Sequence, residues 1–503
     1  MSPRQRQILD RLLWLVALLL ATVFTVRALL RADQSWDTWM YHLPFAARLW
    51  GIVPADMFTM PPYLEDRYEG VPLLGEWLQG LLWRVTGRPE TANLIGLASL
   101  FLYLGFLWRH LRVPWHLALV GLAAVPLVHI HATTAYVDLP SNLAFSVLVL
   151  MTYLLYTRPD YATRGNIVLM LAMAAFAANV KFQLVPLTPI PLVLAGARVA
   201  WLARSRWRES LRTVGGAPGA ALGLTLALAV IFAVPIKNLV LHANPVYPLQ
   251  MRVLGVTLHG PEALPGEKEM ASIHFVPVYL EDAPGPQRWL YSLFEVGIRP
   301  YADPQRWSVD QFMPHGSTGT MMGGYSAAYV AFHLALLAYL VARLRSREAW
   351  TAAALMLLAS LAVSAVPQSH ELRYSLFWMI VLVSLNLYLL ARLEAAGATR
   401  AAGVGVVGLV MLAALLLTVG VTRAQYLDPR PYPVSRLVDV KVDKTIIAKV
   451  RDGDRVCFSH EPWTFLYSAH FHPPLRYTLK ETGREDDCGP DRRFLGAAKF
   501  GPN

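Results

Sequence analysis

The sequence is short of charge and short of cysteine. Only 16% of its 503 residues are Asp, Glu, Lys or Arg, whereas 55% are hydrophobic. Soluble domains carry about 25% charged residues, so an ordinary soluble domain is excluded and a membrane protein is indicated. The chain has two cysteines, and nothing in the sequence has the ligand spacing of a zinc site.

Several familiar signatures are also missing. There is no Walker A lysine loop and no glycine-rich dinucleotide fingerprint, which argues against a nucleotide-driven pump. No internal repeat and no low-complexity tract is present. The net charge is +11, but the basic residues lie in short loops between apolar segments. The positive-inside rule explains this arrangement, so a nucleic-acid partner is not expected.

Long apolar windows predict the fold class. A membrane-spanning helix needs about 20 mostly apolar residues, and the first window is too long and too weakly bounded for a cleaved signal peptide. We predict an all-α polytopic membrane protein with about eleven transmembrane helices. The windows are 10–30, 91–108, 114–131, 140–157, 166–184, 186–203, 218–240, 325–342, 349–366, 374–391 and 402–421.

The arginines between these windows predict the orientation. Those before the first window place the N-terminus in the cytoplasm, and alternation then brings every basic short loop to that side of a bacterial inner membrane. The outer side receives long loops at 31–90 and 241–324, a short loop around Asp138, and the C-terminal tail. One alternative remains open. If the windows flanking Pro186 form a single broken helix, the later loops change sides.

The C-terminal tail has the pattern of a folded unit. We divide the chain into a transmembrane module, 1–422, and a small extracytoplasmic α/β domain, 423–503. Within the tail, Arg455–Ser459 and 476–480 are predicted strands, and 443–450 is a predicted short helix.

Both cysteines of the chain, Cys457 and Cys488, fall in this tail. Outside the cytoplasm a disulfide between them is natural. Two unrelated free thiols are the alternative.

The first outer loop carries an unusual polar cluster directly after a membrane span. Asp37 and Tyr41 are one helical turn apart and would face the same way, with His42 beside them. Asp37 is therefore a candidate catalytic residue. The alternatives are that Ser35 or Asp37 caps a helix and that the neighbouring tryptophans, Trp36 among them, form an interfacial belt.

A second acid, Asp138, lies in the short outer loop just before an apolar window. An acid in each of the first two outer loops suits a shared site, although Asp138 can also cap the following helix. His129 and His131 precede it and are more readily explained by packing than by metal ligation.

Three cations lie near the outer ends of apolar windows, namely Lys181, Lys237 and Arg373. Placing a cation inside a membrane costs about 3 kcal/mol, so such a residue by default marks a functional site. The alternative is that its long side chain only extends to the membrane–water interface. Carboxylates can act as general base, cations can neutralise a phosphate leaving group, and apolar helix faces can hold a lipid tail. The residues therefore suit transfer of a sugar from a lipid phosphate.

The sequence resembles the GT-C superfamily of polyprenyl-phosphate-dependent glycosyltransferases, which includes the lipid A aminoarabinose transferase and protein O-mannosyltransferases. The resemblance rests on short motifs spread over most of the chain. These are the acid Asp37 within Trp36–His42, the acid Asp138, the segment Asn244–Pro248, and the segment His370–Tyr374.

The resemblance implies an inverting hexosyl- or pentosyltransferase with a GT-C-like helix bundle. Asp37 would be the catalytic base and Asp138 its assistant, while Arg373 and Lys181 would bind the donor phosphate. The substrate would also meet four further residues, Tyr41, His42, His370 and Lys237. The donor would be a polyprenyl-phosphate-linked sugar and the acceptor a lipid, glycan or protein.

One departure concerns the base. Several relatives carry two adjacent acids after the first span, whereas here Asp33 and Asp37 are separated by three residues. No cofactor is certain, and a divalent metal stays open because some members of the superfamily use one and others do not.

Two other functions compete with this one. An O-antigen-ligase-like transferase would hand over a preassembled glycan using residues of a late outer loop, such as Arg299 and His315. A lipid or glycan transporter would more often show paired repeats and broken helices in matching positions, and the sequence shows neither.

Overall fold

The computed structural model describes residues 2–204, 216–253, 255–263, 276–309, 321–366, 368–395 and 403–497. The α-helices in chain order are α1 (Pro3–Leu30), α2 (Leu43–Leu49), α3 (Pro62–Gly70), α4 (Leu74–Thr86), α5 (Leu94–Phe106), α6 (Trp115–Ala123), α7 (Pro126–His131), α8 (Asp138–Thr157), α9 (Arg164–Val180), α10 (Pro189–Ala203), α11 (Gly216–Ile231), α12 (Ala233–His242), α13 (Gly285–Leu293), α14 (Ala327–Leu344), α15 (Arg347–Ser364), α16 (Phe377–Ala395), α17 (Gly403–Val421), α18 (Val434–Lys441) and α19 (Lys444–Ile447). The strands are β1 (Phe58–Thr59), β2 (Leu249–Val253), β3 (Val256–Leu258), β4 (Glu262–Ala263), β5 (Arg455–Ser459), β6 (Thr478–Glu481) and β7 (Arg493–Ala497).

The helix bundle is that of a membrane-embedded protein. Within the described residues, five helices are long and apolar enough to cross a membrane, and a sixth crossing results if α11 and α12, bent by 75°, count as one span. All eleven apolar windows contain helix, so the positions of the helices follow the sequence pattern. Eleven as the number of helices that cross the membrane stays a prediction.

Helix α8 lies at the centre of the bundle. Its most apolar window is 94% buried inside the protein, against 28% for α1, which leaves α1 to face lipid. Polar residues are tolerated in α8 because their hydroxyls bond within the helix. Ser141, Ser146 and Thr152 each donate to a backbone carbonyl three or four residues earlier.

The chain reverses direction at Pro186. The ammonium Nζ of Lys181, just after α9, lies 3.0 Å from Oδ1 of Asp138 at the start of α8. Farther along, Nε of Arg198 in α10 donates to the carbonyl of Leu155 near the end of α8 at 3.1 Å. Helices α9 and α10 therefore run in opposite directions and are two helices rather than one broken helix. The cytoplasmic position of the N-terminus stays a prediction.

The C-terminal sheet includes a strand from the first outer loop. Its order is β1-β6-β5-β7 and all neighbouring strands are parallel, with Phe58 of β1 opposite Leu479 of β6. The first predicted strand is present with its predicted bounds, the second begins two residues later than predicted, and the predicted helix is the single turn α19. Side chains of the loop and the tail form one hydrophobic core, so the tail does not pack by itself. The division at residue 422 stays a prediction.

A disulfide joins Cys457 to Cys488, 31 residues later, with their Cα atoms 5.7 Å apart. A bridge of this loop length stabilises a folded domain by about 3–4 kcal/mol in the chain-entropy model. We expect reductant, or the double change of Cys457→Ser and Cys488→Ser, to lower the Tm of the intact protein. The serine variant is the control, since reductant has no target in it. An unchanged Tm in both would contradict the expectation.

Glu481 is a buried carboxyl group at the end of β6. Burial raises its pKa to about 7, opposed by a hydrogen bond with Thr464 and reinforced by the charge of Glu461. The folded protein therefore holds this proton more tightly than the unfolded chain, whose carboxyl pKa is near 4.5. The tighter proton binding adds to the free energy of unfolding. This contribution is fully present below about pH 4.5 and is lost as the pH rises to about 7, at a slope of at most about 1.4 kcal/mol per pH unit.

Glu481→Gln removes this titration. We expect the variant to lose less stability than the wild type when the pH is raised from 5 to 8. Thermal unfolding across that pH range measures the difference. Parallel profiles for the two proteins would show that Glu481 does not titrate there.

Candidate active site

The chain after α1 is organised by Asp33. Its Oδ1 accepts hydrogen bonds from the backbone N–H (3.1 Å) and hydroxyl (2.6 Å) of Ser35. Its Oδ2 accepts from the hydroxyl of Thr38 at 2.5 Å and from the N–H of Ala135 at 3.0 Å. With both oxygens engaged, this carboxylate holds the first outer loop against the second. Asp33 therefore orders the loop, and the neighbouring acid Asp37 is left to face the interior.

Asp37 begins a π-helical turn, Thr38–His42. Its backbone N–H donates to the hydroxyl of Tyr136 at 3.0 Å, and its Oδ2 accepts from Nη1 of Arg373 at 3.1 Å. Within the described chain the Asp37 side chain makes no capping hydrogen bond. Asp37 therefore does not cap this turn through its side chain. Its carboxylate is paired with a cation 336 residues away.

Asp138 forms the second carboxylate–cation pair. It is the first residue of α8 and is completely buried, with its Oδ1 3.0 Å from Nζ of Lys181. The capping position belongs to Val137, so Asp138 does not cap α8 either. Nζ of Lys181 also lies 5.0 Å from the ring centre of Tyr374. The two pairs are neighbours, because the guanidinium of Arg373 lies 4.9 Å from the centre of that same ring.

Arg373 lies in a 3-10 turn, Leu372–Ser375, directly before α16. Its Nη2 donates to the hydroxyl of Tyr374 at 3.0 Å, and its Nε lies 3.5 Å from Oε2 of Glu371. The side-chain amide of Asn142 in α8 donates to the carbonyls of Asp138 (2.8 Å) and Arg373 (3.3 Å). This amide fixes the spacing between the two charge pairs.

Sequence reasoning missed three residues of this cluster, namely Glu371, Asn142 and Tyr136. Glu371 was visible only as part of the late motif. Asn142 stands out as an amide in an apolar helix, a signal that marks a polar contact in a membrane interior. The ring of Tyr136 lies 5.7 Å from the Arg373 guanidinium, 5.4 Å from His42 and 5.3 Å from His131, which no local pattern indicates.

Two further candidates from the first loop lie beside the cluster. Nδ1 of His42 is 2.7 Å from Oε1 of Glu76 in α4, and both side chains are buried. Tyr41 is partly buried in the same turn, and desolvation together with the negative charge of Asp37 raises the pKa of its phenol well above the usual value. Tyr41 is therefore a neutral hydrogen-bonding group beside Asp37.

The remaining candidates have other neighbours. The ammonium of Lys237 in α12 donates to the carbonyl of Glu69 at the end of α3. The carbonyl of His370 accepts from the hydroxyl of Ser292 in α13 at 2.5 Å. Arg299, a residue of the competing ligase hypothesis, lies 3.8 Å from Asp303, and His315 lies outside the described residues.

Among the described residues, the side chains around the charge cluster are not arranged as metal ligands. The part of the chain that the structure describes contains no group of three His, Cys, Asp or Glu side chains placed to hold a metal ion. Asp37 and Asp138 each face a cation of the chain instead. His129 and His131 are both buried, and His129 lies against Phe24.

A groove lies beside the charge cluster. Its outer part is lined by residues that include the polar Gln183, Gln368, Glu371 and Tyr374. Leu187 lines both this outer part and an entirely apolar part within the bundle. The apolar part lies between α8, α10, α15 and α16, and it is lined by Phe145, Val149, Leu187, Ile190, Pro191, Leu194, Leu355, Leu358, Ala359, Ala362 and Phe377.

The fold is similar to that of ArnT, the lipid A aminoarabinose transferase of the GT-C superfamily. The crystal structure of ArnT from Cupriavidus metallidurans in the apo state matches with a TM-score of 0.53 and 16% sequence identity, over 97% of this chain and 87% of that one. The same protein bound to undecaprenyl phosphate matches with a TM-score of 0.51 and 15% identity, over 95% and 86% of the two chains. No protein-family model matches the sequence, and no curated protein does. At these identities the likeness shows the fold alone.

Proposed function

We propose, from the fold shared with ArnT, that this protein transfers a sugar from a polyprenyl-phosphate donor to a lipid, glycan or protein acceptor. The reaction would take place at the outer face of a bacterial inner membrane and invert the anomeric centre. In this proposal the N-terminus is cytoplasmic, and the charge cluster and residues 423–503 are periplasmic. The site of chemistry is the pair of carboxylates Asp37 and Asp138 with their cations Arg373 and Lys181.

The observation that carries the proposal is the pairing of two acids with two cations around one ring, that of Tyr374. Burying an ion pair in a protein interior costs desolvation that its attraction barely repays, and a membrane interior makes it more expensive still. Stability alone therefore does not favour two such pairs side by side. A site that must bind a phosphate and accept a proton requires both kinds of group.

The neighbouring groove suits the donor. Arg373 can contact phosphate oxygens through two N–H groups at once, and Lys181 adds a compact positive charge. The apolar groove beyond Leu187 is lined only by carbon-rich side chains, as a polyprenyl chain requires. The ArnT structure bound to undecaprenyl phosphate concerns a lipid of this chemical class.

The proposed reaction is a single displacement. Oδ of Asp37 accepts the proton of the acceptor hydroxyl while the acceptor oxygen forms a bond to the anomeric carbon. The bond between that carbon and the phosphate oxygen breaks, and its electron pair leaves with polyprenyl phosphate. Arg373 and Lys181 neutralise the charge that develops on the phosphate. Asp138 orients the acceptor and holds Lys181 in place.

Residues beside this centre have supporting roles. Tyr41 and His42 lie next to Asp37 and would contact the sugar or the acceptor. His370 and Lys237 have other neighbours, and the proposed reaction does not use them. Charge neutralisation in the proposed step rests on Arg373 and Lys181.

The test is transfer from a panel of radiolabelled polyprenyl-phosphate sugars by membranes that contain the protein. We expect label to move from one donor to an acceptor, and the product to have the opposite anomeric configuration to the donor. Retained configuration would contradict direct displacement. Absence of transfer from every donor would favour the ligase or the transporter.

A further inference from the structure

Two carboxylates share the guanidinium of Arg373, and they differ in exposure. Nη1 donates to Oδ2 of Asp37 at 3.1 Å, and Nε lies 3.5 Å from Oε2 of Glu371. The Glu371 side chain is 1% exposed, the Arg373 side chain 9%, and the Asp37 side chain 17%. Of the two acids, Asp37 is the more exposed.

We propose that Glu371 is a positioning residue for Arg373, and that donor phosphate displaces Asp37 but not Glu371 from this arginine. This inference rests on the function proposed above. The Glu371 carboxylate lies 3.5 Å from Nε and, in this proposal, restrains the orientation of the guanidinium from that side. The phosphate then takes the place of the Asp37 carboxylate, which becomes available to accept the acceptor proton.

The geometry supports a fixed guanidinium. Its central carbon lies 4.9 Å from the ring centre of Tyr374 and 5.7 Å from that of Tyr136, and Nη2 donates to the Tyr374 hydroxyl. The carbonyl of the same residue accepts from Asn142. An arginine restrained at its backbone carbonyl, at Nη2 and by the nearby Glu371 carboxylate can exchange one partner without leaving the site.

The exchange makes the base available only when donor is present. While Asp37 is bonded to Arg373, its Oδ2 accepts the hydrogen bond from Nη1. Once phosphate occupies the guanidinium, this oxygen can instead accept the hydrogen bond of the acceptor hydroxyl. The base is thus brought into use when the leaving group is in place.

A plain electrostatic account predicts a different result for Glu371. This residue also lines the outer part of the groove, so its negative charge alone would repel a phosphate, and removing it would strengthen binding. In our proposal its loss weakens binding. Without Glu371 the arginine can turn and bind Asp37 through two N–H groups, and phosphate must then displace a stronger pair.

The experiment measures equilibrium binding of undecaprenyl phosphate to the purified full-length protein in nanodiscs. We expect Glu371→Gln to weaken binding by about tenfold, and Asp37→Asn to strengthen it by about threefold because the competing carboxylate is gone. Glu371→Asp keeps the charge and should stay within about threefold of wild type. The control is Glu348→Gln, which removes the carboxylate paired with Arg392 at 3.0 Å at the opposite end of the bundle; it should leave binding unchanged.

Two further measurements separate positioning from folding. In the Asp37→Asn background the effect of Glu371→Gln should shrink, since the competitor is absent, and this double-mutant coupling is not expected of a merely structural residue. In transfer assays Glu371→Gln should raise the donor KM by about tenfold and leave kcat at saturating donor nearly unchanged. Thermal unfolding of each variant shows whether it is folded.

The outcomes are distinct. Binding by Glu371→Gln that equals or exceeds wild type, or equal losses for Gln and Asp at this position, would overturn the positioning role while leaving the proposed function intact. Wild-type protein that fails to bind undecaprenyl phosphate saturably would overturn the proposed function and this inference together.

Discussion

Replacing Asp37 with asparagine is expected to reduce sugar transfer by about 10³-fold, the contribution of a well-placed general base. Asparagine keeps the shape of the side chain but cannot accept the acceptor proton. It also keeps an oxygen that can accept the hydrogen bond from Arg373, so the fold should persist. The measurement is initial rate at saturating donor and acceptor, with expression and Tm determined in parallel.

The matched control for this variant is Asp56→Asn. Asp56 belongs to the same outer loop and is exposed, and its Oδ1 accepts a hydrogen bond from the N–H of Met57 at 3.1 Å. It should change the rate by less than about twofold. Undiminished sugar transfer by Asp37→Asn would indicate that Asp138 is the base. Asp33 is excluded because both of its carboxylate oxygens accept hydrogen bonds from the loops.

Replacing Arg373 with lysine is the second large effect, and we expect kcat/KM for the donor to fall by about 100-fold or more. Lysine keeps the charge but presents a single ammonium on a flexible stem. It cannot bond Asp37, approach Glu371 and contact the Tyr374 hydroxyl at once, as the guanidinium does. The loss should appear mainly in donor KM, because the donor phosphate is the ligand of this group.

Arg392→Lys is the control for this second variant. Arg392 is paired with Glu348 at 3.0 Å near the opposite end of the bundle, so the same substitution there should leave the donor KM unchanged. If Arg373→Lys stays within about threefold of wild type, a guanidinium-specific contact with the phosphate is excluded.

The helices were predictable from sequence because their signal is local. Each apolar window lies in a medium without water, where the backbone N–H and C=O groups must find hydrogen-bond partners inside the protein. A single segment meets this requirement by forming a helix. The bend between α11 and α12 was not predicted, and it has a consequence for Lys237. The 75° turn carries the helix that holds this residue away from the line of the preceding helix, and the ammonium meets the carbonyl of Glu69.

The site was predictable in its members but not in its pairings. Motifs indicated Asp37, Asp138 and Arg373, and a position near the outer end of an apolar window indicated Lys181. The structure brings these four together. Which acid contacts which cation depends on how α8, α9 and the turn before α16 pack, and the Asp37–Arg373 pair joins residues 336 positions apart. The role of Glu371 depends on the same packing.

The sheet shows where local pattern was insufficient. Strand β1 has only two residues, Phe58 and Thr59, and two residues carry no periodicity. Its pairing with β6 exists because the first outer loop and the tail share a hydrophobic core. The strand at Arg455–Ser459, preceded by a turn at Asp452–Asp454, had both a hydrophobic run and a boundary signal, and it was predicted correctly.

The most direct test of the central claim is release of polyprenyl phosphate from a labelled polyprenyl-phosphate sugar by purified wild-type protein and by Asp37→Asn in the same nanodisc preparation. We predict that the wild type releases the lipid phosphate in proportion to acceptor added, and that the variant binds the lipid but releases almost none. Equal release by both proteins would contradict the role of Asp37, and no release from any donor by the wild type would contradict the proposed function itself.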